Sequence, residues 1–293
     1  MAILTGNFRK QTGSIGDMTL RQVNGRTVTS EKVRRNNSKT FAQMRRRVQW
    51  ANLVNLWRSF EGDMRPSFES RPAGVSDFNM FVSANICTVP VYLEHAEAQQ
   101  GATVVAPYQV TRGSLPSVDV SASGVSGEVG TDISLGSLSI GEETTVAQFS
   151  DAVVQNNEDF AYGDQISAFV VRQETNSSTN VPYVKVQRYE VTLDHEDSET
   201  LLSDIDPDGL VFAKQGSSDK LGMNQTVNGG VVYIHSRKGV GRTLVSTQRL
   251  VVANTILSRY QTDAKLTAAI LSYGGKLTAD FLVPNVDEAP EVA

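Results

Sequence analysis

Short β-prone segments recur along this chain from residue 88 onwards, and they constrain its fold more than any other sequence feature. They are separated by Gly, Ser, Asn and Asp, the residues that dominate turns. Regular short strands with frequent turn residues are typical of antiparallel β-sandwich domains. The clearest segments are residues 107–111, 118–122, 166–172, 183–193, 230–235 and 243–253. We therefore predict β-sandwich-like, Ig-like domains for this part of the chain.

The first 87 residues show a different pattern, which includes a β-hairpin. Two β-prone runs, residues 18–23 and 26–31, flank the dipeptide Asn24-Gly25. This dipeptide favours the two-residue turn of a hairpin, because both central residues of that turn need positive φ. An isolated hairpin is marginally stable in water. We therefore expect this hairpin to dock on another element or another subunit.

A helical pair is predicted after the hairpin. Thr40 and Gln43 have the spacing of a capping box, which predicts a helix over residues 41–60. Ser76 is a good N-cap for a second helix over residues 77–86. Further helices are predicted over residues 146–155 and, capped by Asp263, over residues 264–273.

Together these patterns predict an α+β protein that is mainly β. An N-terminal β-hairpin and helical pair would occupy residues 1–87 and be followed by two β-sandwich-like (Ig-like) domains. The strongly acidic stretch 194–208 suggests a boundary between those two domains. The predicted divisions are therefore residues 1–87, 88–195 and 196–293, the last with an acidic linker and a polar C-terminal tail.

Charge is distributed unevenly along the chain. Residues 9–47 contain eleven Lys and Arg side chains and two acidic ones, although the whole chain has a net charge of −5. Residues 1–71 carry a net charge of +9, and the remaining 222 residues carry −14. Such segregation predicts that one end engages an acidic partner while the rest keeps the protein soluble. This pattern favours docking and assembly over chemistry.

Three interpretations of the cationic segment stay open. It could dock on an acidic protein surface, possibly that of a neighbouring copy; it could contact nucleic-acid phosphates; or it could be a solvated face. Trp50 and Trp57 lie on the apolar stripe of the first predicted helix, and they belong either to the core or to a subunit interface. The candidate interface residues are Arg21, Arg26, Arg34, Arg35, Arg45, Arg46, Arg47, Trp50 and Trp57.

No pattern in the sequence nominates a catalytic or metal site. The three histidines, His95, His195 and His235, lack the spacing of metal ligands. Residues 204–209 resemble half of a calcium-binding loop, but Gln215 stands where that loop needs a glutamate. No run of about 18 apolar residues is present, so we expect no membrane span. We expect no enzyme activity, no metal and no cofactor.

Several N-terminal motifs together carry a family resemblance. They are residues 13–17 (GSIGD), 23–28 (VNGRTV), 32–37 (KVRRNN), 43–48 (QMRRRV) and 76–81 (SDFNMF). Over its first 86 residues the chain resembles a family of functionally uncharacterised proteins from Bacteroidota and their tailed phages, including crAss-like phages. The resemblance implies a non-enzymatic virion component, such as a head auxiliary, head-fibre, neck or tail protein, and it implies no catalytic residues.

The resulting functional hypothesis is a bacteriophage virion structural protein, made in the cytoplasm of the host bacterium and assembled into the virion. Its partners would be other virion proteins (capsid, neck or tail subunits) and copies of itself, with no membrane partner. Two alternatives stay open. One is a nucleic-acid-binding protein that uses the basic N-terminal arm, and the other is a surface carbohydrate-binding β protein.

Overall fold

A computed structural model describes most of the chain. It covers residues 2–4, 12–23, 26–32, 40–60, 67–72, 74–122, 128–215, 218–223 and 228–274. By its internal contacts the chain divides into two compact units, Met1–Thr40 and Phe41–Ala293. Strands outnumber helices in the described residues, so the prediction of a mainly β, mixed α+β protein is confirmed.

The strands, in chain order, are β1 (Ala2–Leu4), β2 (Gly13–Ile15), β3 (Met18–Val23), β4 (Arg26–Glu31), β5 (Ser67–Phe68), β6 (Gln109–Arg112), β7 (Val120–Ala122), β8 (Val129–Ser134), β9 (Gln165–Thr175), β10 (Pro182–Thr192), β11 (Ala213–Lys214), β12 (Lys220–Met223), β13 (Gly229–Gly239), β14 (Arg242–Val245), β15 (Gln248–Arg249) and β16 (Val251–Ala253). The helices are α1 (Phe41–Ser59), α2 (Asp77–Asn85), α3 (His95–Gln99), α4 (Val146–Asn156), α5 (Leu202–Ile205) and α6 (Asp263–Ser272), and Leu257–Tyr260 form a 3₁₀ turn.

The first unit contains an antiparallel sheet in the order β1-β4-β3-β2. The predicted hairpin strands are confirmed as β3 and β4, which pair from Met18 opposite Glu31 to Val23 opposite Arg26. The predicted turn at residues 24–25 lies outside the described residues. Further strands on both sides turn the hairpin into a four-stranded sheet, which satisfies more of its backbone than two strands could.

The second unit is built on a sheet in the order β10-β9-β13-β14, with β16 also paired to β13. β9 and β10 form a long antiparallel hairpin from Gln165 opposite Thr192 to Thr175 opposite Pro182. β13 pairs with β9 along residues 229–236, and its other edge takes β16 at one end and β14 at the other. β13 is therefore an interior strand of this sheet.

Both faces of this central sheet are covered, which explains why β9 and β13 are buried along most of their length. On one face Ile166, Val170 and Tyr233 pack with Phe149 of α4 and Leu221 of β12, a strand of the separate β11-β12-β8-β7 sheet. A strand that is buried on both faces is apolar almost continuously instead of alternating with polar residues. The apolar runs of β9 and β13 fit this rule.

The other face of the central sheet packs against helices. Phe169, Val171 and Val232 share one apolar cluster with Leu53 of α1 and Phe81 of α2. A small sheet, β15-β6-β5, lies in the same unit, with β5 and β6 parallel. α6 packs on the first half of α1 through a third cluster that includes Met44, Val48 and Ile270.

This arrangement differs from the expected division at residues 195 and 196. β9 belongs to the segment 88–195 and β13 to the segment 196–293, yet the two strands pair over eight positions. The helices of the segment 1–87 also share a core with these strands. The acidic stretch suggested a linker because its composition is locally polar. Strand pairing across that stretch depends on distant residues, which a local composition does not reveal.

The predicted helices are confirmed within one or two residues, with one difference at a cap. α6 begins after Thr262, whose side-chain oxygen accepts from the Lys265 amide at 3.1 Å, whereas Asp263 is the first helical residue. Either residue type is a favoured N-cap, and an acidic residue in the first turn is also favourable. Sequence preference alone therefore left this boundary uncertain by one position.

Candidate docking surface

α1 carries five of the nine candidate interface residues, and its two sides differ. Its core-facing residues belong to the apolar clusters, with Met44 and Val48 against α6 and Leu53 and Leu56 in the helix-covered face of the central sheet. These residues recur at spacings of three to five, as on one side of a helix. Arg46, Arg47 and Trp50 project from the other side, whereas Arg45 projects from the core-facing side but is exposed near the start of the helix.

Arg45, Arg46 and Arg47 are exposed in the second turn of α1. Arg46 donates from Nη1 to the Ile86 carbonyl oxygen at 2.9 Å and to Gln49 Oε1 at 3.3 Å. No described carboxylate lies within ion-pair distance of these three arginines. Within the described part of the chain, their positive charges are therefore not neutralised by the protein itself.

The three consecutive arginines concentrate positive charge without an acidic neighbour at the start of the helix. The first turn of α1 contains no acidic residue. The helix macrodipole acts mainly on the first turn, so the cost of this concentration comes from repulsion between the arginines. Arg46 recovers part of this cost, because it donates to the carbonyl at the C-terminal end of α2, where a cation is favourable. Arg45 and Arg47 have no such described contact.

The two tryptophans have different environments. Trp57 is half-buried, with its ring centroid 5.6 Å from both Phe78 and Phe81. It belongs mainly to the core between α1 and α2. Trp50 is 45 % exposed and contacts Phe78 edge-on, with centroids 6.0 Å apart. Trp50 follows Arg46 by four residues and Arg47 by three, so the three side chains are neighbours on the helix surface. We call Arg45, Arg46, Arg47 and Trp50 the α1 surface.

The remaining candidate residues lie in the first unit or beyond the described residues. Arg21 on β3 and Arg26 on β4 are exposed. Arg21 is opposite Val28, and Arg26 is opposite Val23. Arg34 and Arg35 lie outside the described residues. The structure therefore brings together Arg46, Arg47 and Trp50 on one side of α1, with Arg45 exposed in the same turn, while Arg21 and Arg26 belong to the other compact unit.

A buried charged cluster escaped the sequence analysis. The Asp164 carboxylate accepts from Arg237 Nε at 2.6 Å and from Arg237 Nη2 at 2.7 Å, and its Oδ2 lies 2.8 Å from His235 Nε2. The side chains of Asp164 and His235 are 2 % and 1 % exposed, and the His235 ring stacks on Phe160 with centroids 4.3 Å apart. Only the long-range pairing of β9 with β13, which ends with Gln165 opposite Ser236, could have shown that Asp164 lies near His235 and Arg237.

The electrostatics of this cluster favour an ionised Asp164. Burial alone would raise the pKa of the carboxyl group, but hydrogen bonds from Arg237, the Ala161 amide and His235 outweigh burial, and the pKa is lowered. An ionised carboxylate only accepts hydrogen bonds, so the proton between Asp164 and His235 belongs to the histidine Nε2. The cluster connects Asp164, just before β9, to His235 and Arg237 of β13, and we interpret its role as stabilising the pairing of these two strands.

The acidic segment and its half calcium loop have a structural explanation. Asp206 is buried, and its carboxylate accepts from the amides of Leu210, Val211 and Phe212 at 2.7–2.9 Å. Gly209 has a φ of 56°, which lets the chain turn back towards Asp206. Within the described ranges, no group of three or more His, Cys, Asp or Glu side chains is arranged to hold a metal ion.

Comparison of the chain with protein-family models, with curated proteins and with solved structures gives no significant match. Among the helices that the structure describes, none combines the length and the apolar composition needed to cross a bilayer.

Proposed function

We propose that this protein is a non-enzymatic bacteriophage virion structural protein that docks on an acidic surface of another virion subunit through the α1 surface. The observation that carries the docking role is the set of exposed arginines that no described carboxylate neutralises. Repulsion between these neighbouring charges is unfavourable in the isolated chain. Carboxylates of an anionic partner would form favourable ion pairs with these arginines.

The composition of the α1 surface supports a protein partner. Arginine and tryptophan are enriched among residues that contribute most to protein interfaces, and here Trp50 lies beside Arg46 and Arg47. An acidic partner is also at hand, since residues 72–293 of each copy carry a net charge of −14. We therefore propose that the partner surface belongs to a neighbouring copy or to a similarly acidic capsid, neck or tail subunit.

The virion assignment itself rests on the N-terminal motifs and their resemblance to phage-associated proteins. Under this proposal the first unit, with Arg21 and Arg26, and the basic stretch containing Arg34 and Arg35 add further contacts to virion subunits. The finer part of the fold prediction, an Ig-like strand arrangement, also stays a proposal. It is supported by the central sheet and the β11-β12-β8-β7 sheet, whose residues share one apolar cluster.

Charge reversal tests the docking role. Arg45→Glu combined with Arg47→Glu should abolish incorporation into phage particles, measured by immunoblotting of particles purified from the host. Arg46 is kept, because it also bonds the Ile86 carbonyl and its loss could loosen the fold. Since neither changed residue makes a described hydrogen bond or ion pair, the thermal unfolding of the purified double variant should match that of the wild type.

A matched control reverses two other exposed arginines of the same unit, Arg112 on β6 and Arg249 on β15. Arg112→Glu with Arg249→Glu changes the net charge equally and should leave incorporation unchanged. Normal incorporation of the Arg45 and Arg47 double variant would contradict the docking role.

Measuring DNA binding at several salt concentrations distinguishes the nucleic-acid alternative from docking on protein. If the arginines bind phosphates, duplex DNA should bind the purified protein, with an affinity that falls steeply as salt increases. Docking on protein predicts no saturable DNA binding at about 100 mM salt, where nonspecific binding by a few cations is already weak. Strong, salt-dependent DNA binding that is lost on reversal of Arg45 and Arg47 would replace our proposal with this alternative.

A further inference from the structure

One face of the central sheet changes from apolar to polar along its strands. The apolar half packs against α1 and α2 through residues such as Phe169, Val171 and Val232. The other half of the same face carries polar side chains from neighbouring strands. They are Gln165 and Ser167 of β9, Arg188 and Glu190 of β10, and Ser236 of β13.

The strand register places these polar side chains next to one another. Ser167 is opposite Glu190 on β10, and Gln165 is opposite Ser236 on β13. Residues directly opposite on antiparallel strands point to the same face of the sheet. The five side chains therefore form one polar patch on a rigid support.

This patch forms the floor of an open cleft. The cleft has a volume of about 430 Å³, and the opposite wall includes Ser67 of β5 and Thr111 of β6. Small-molecule sites commonly have volumes of roughly 300–1,000 Å³. We call this space, lined by described residues of β5, β6, β9, β10, β13 and β14, the sheet cleft.

The charged pair in the sheet cleft is held in a fixed geometry. Arg188 and Glu190 form an ion pair on the same face of β10. The Arg188 guanidinium lies over the Phe169 ring, 5.6 Å from its centroid, and its Nη2 is 3.4 Å from Ser167 Oγ. Since one positive and one negative charge balance, these two residues give the cleft no net charge.

The burial of the polar residues indicates a role other than packing. Ser167 and Ser236 are only 4 % and 8 % exposed. Apolar side chains at these positions would continue the adjacent core and gain burial energy. The sheet instead keeps hydroxyl, amide and charged groups beside a cleft, which is the arrangement of a site with a few positioned polar groups on a rigid scaffold.

We propose that the sheet cleft binds a small neutral polyhydroxylated ligand of the sugar class. Sugar hydroxyls both donate and accept hydrogen bonds, and the cleft offers donors from Arg188, acceptors from Glu190, and both from Gln165, Ser167 and Ser236. A neutral ligand matches the balanced charge, whereas a free anion or cation would oppose one member of the ion pair.

A panel of neutral monosaccharides tests this proposal on the full-length protein. Glucose, galactose, mannose and N-acetylglucosamine are titrated by ligand-observed saturation-transfer NMR. We expect saturable binding of at least one of them to the wild type. Glu190→Gln should weaken that binding by about tenfold or more, because a charge-assisted hydrogen bond is lost.

Glu174 provides a matched control on the same hairpin. Its side chain is 34 % exposed, like that of Glu190, and it also pairs with a basic residue of β10, Lys185, at 2.9 Å. Glu174 does not line the sheet cleft. Glu174→Gln should therefore bind the sugar as the wild type does. Thermal unfolding checks that each variant is folded. If Glu190→Gln is unfolded, Ser236→Val, which narrows the cleft, is used in its place.

Three results would overturn the sugar-site proposal. The first is the absence of saturable binding of every sugar up to about 10 mM, a limit that includes weak millimolar affinities. The second is wild-type affinity in both Glu190→Gln and Ser236→Val. Binding of a zwitterionic amino acid such as glycine, without binding of any sugar, would also exclude the neutral polyol. None of these results bears on the α1 surface, which the incorporation experiment tests separately.

Discussion

At the scale of single residues, Asp164 shows how one buried charge is stabilised. Its carboxylate accepts two bonds from Arg237, one from His235 and one from the Ala161 amide. Removing one member of a buried ion pair leaves the other uncompensated, which is more costly than the pair's net contribution to stability. Loss of the Asp164 carboxylate would therefore lower the stability by more than the ion pair contributes, because Arg237 and His235 would be left without their partner.

We predict that Asp164→Asn lowers the free energy of unfolding by about 3 kcal/mol at pH 7. This is the lower end of the range for a buried pair, because Arg237 is partly exposed. The folded state lowers the Asp164 pKa, so the ionised carboxylate stabilises the fold above the pKa of the unfolded chain, about 4. That contribution is lost as the pH falls through the lower folded-state pKa.

Urea unfolding of both proteins at several pH values measures this effect. The difference between wild type and Asp164→Asn should be largest near neutral pH and should shrink as the pH falls below about 4. Glu158→Gln, at an exposed position, is the control and should change stability by less than about 0.5 kcal/mol. A difference that is the same at pH 7 and at pH 3 would show that ionisation of Asp164 does not stabilise the fold.

At the scale of elements, one buried segment is held largely by side chains. Residues 102–106 are buried throughout and belong to no strand. The Thr103 amide donates to the Pro182 carbonyl of β10 at 2.8 Å, whereas several other backbone groups bond to side-chain amides. Asn52 accepts from the Val104 amide at 2.8 Å and donates to the Val104 carbonyl at 2.9 Å, and Gln173 accepts from the Val105 amide at 2.8 Å. Asn55 donates to the Ala102 carbonyl at 2.8 Å.

This arrangement explains why polar residues occupy the buried side of α1. A buried backbone group must find a partner, and an asparagine supplies both a donor and an acceptor. Asn52 and Asn55 therefore supply the partners that a neighbouring strand would otherwise give to Val104 and Ala102. A helical pattern read only for apolar residues would treat both as interruptions of the core-facing stripe.

We predict that Asn52→Ala lowers the free energy of unfolding by about 3 kcal/mol, because the Val104 amide and carbonyl lose their described partner. The Tyr108 hydroxyl loses its 3.1 Å contact with Asn52 as well. Asn79→Ala, on the exposed side of α2, is the matched control and should change stability by no more than about 0.5 kcal/mol. Denaturant midpoints measure both; equal midpoints would contradict the role of Asn52.

At the scale of the whole molecule, the second unit depends on strands that are distant in the sequence. β9 and β13 pair at its centre, and each of their faces meets a different apolar cluster. Neither cluster is complete within residues 88–195 or within residues 196–293. Folding of this unit therefore requires the long-range pairing, which carries a loop-closure cost that local helices do not have.

We predict that the separate fragments 88–195 and 196–293 show no cooperative thermal unfolding, because each lacks half of the central sheet. The fragment 41–293, which corresponds to the second compact unit, should unfold cooperatively. Circular dichroism melting and the dispersion of amide NMR signals measure both outcomes. A cooperative transition in the isolated fragment 88–195 would show that the predicted sandwich domain folds by itself.

Sequence reasoning predicted local elements well and long-range contacts poorly. The hairpin strands β3 and β4, the helices α1, α2, α4 and α6, and the strands β9 and β10 follow from turn dipeptides, caps and apolar runs. For the candidate surface, the arginines of α1 were found from charge alone. The sheet cleft and the cluster of Asp164, His235 and Arg237 were not found, because their members come from segments more than twenty residues apart.

The sequence by itself determined most of the longer helices and strands, and that positive charge is concentrated near the amino terminus. Those properties depend on residues within a few positions of each other. Only the tertiary structure decided that β13 pairs with β9, that Trp57 is half-buried while Trp50 is exposed, and that polar residues of several strands line one cleft. These outcomes depend on the burial energy summed over the whole unit, which no single segment contains.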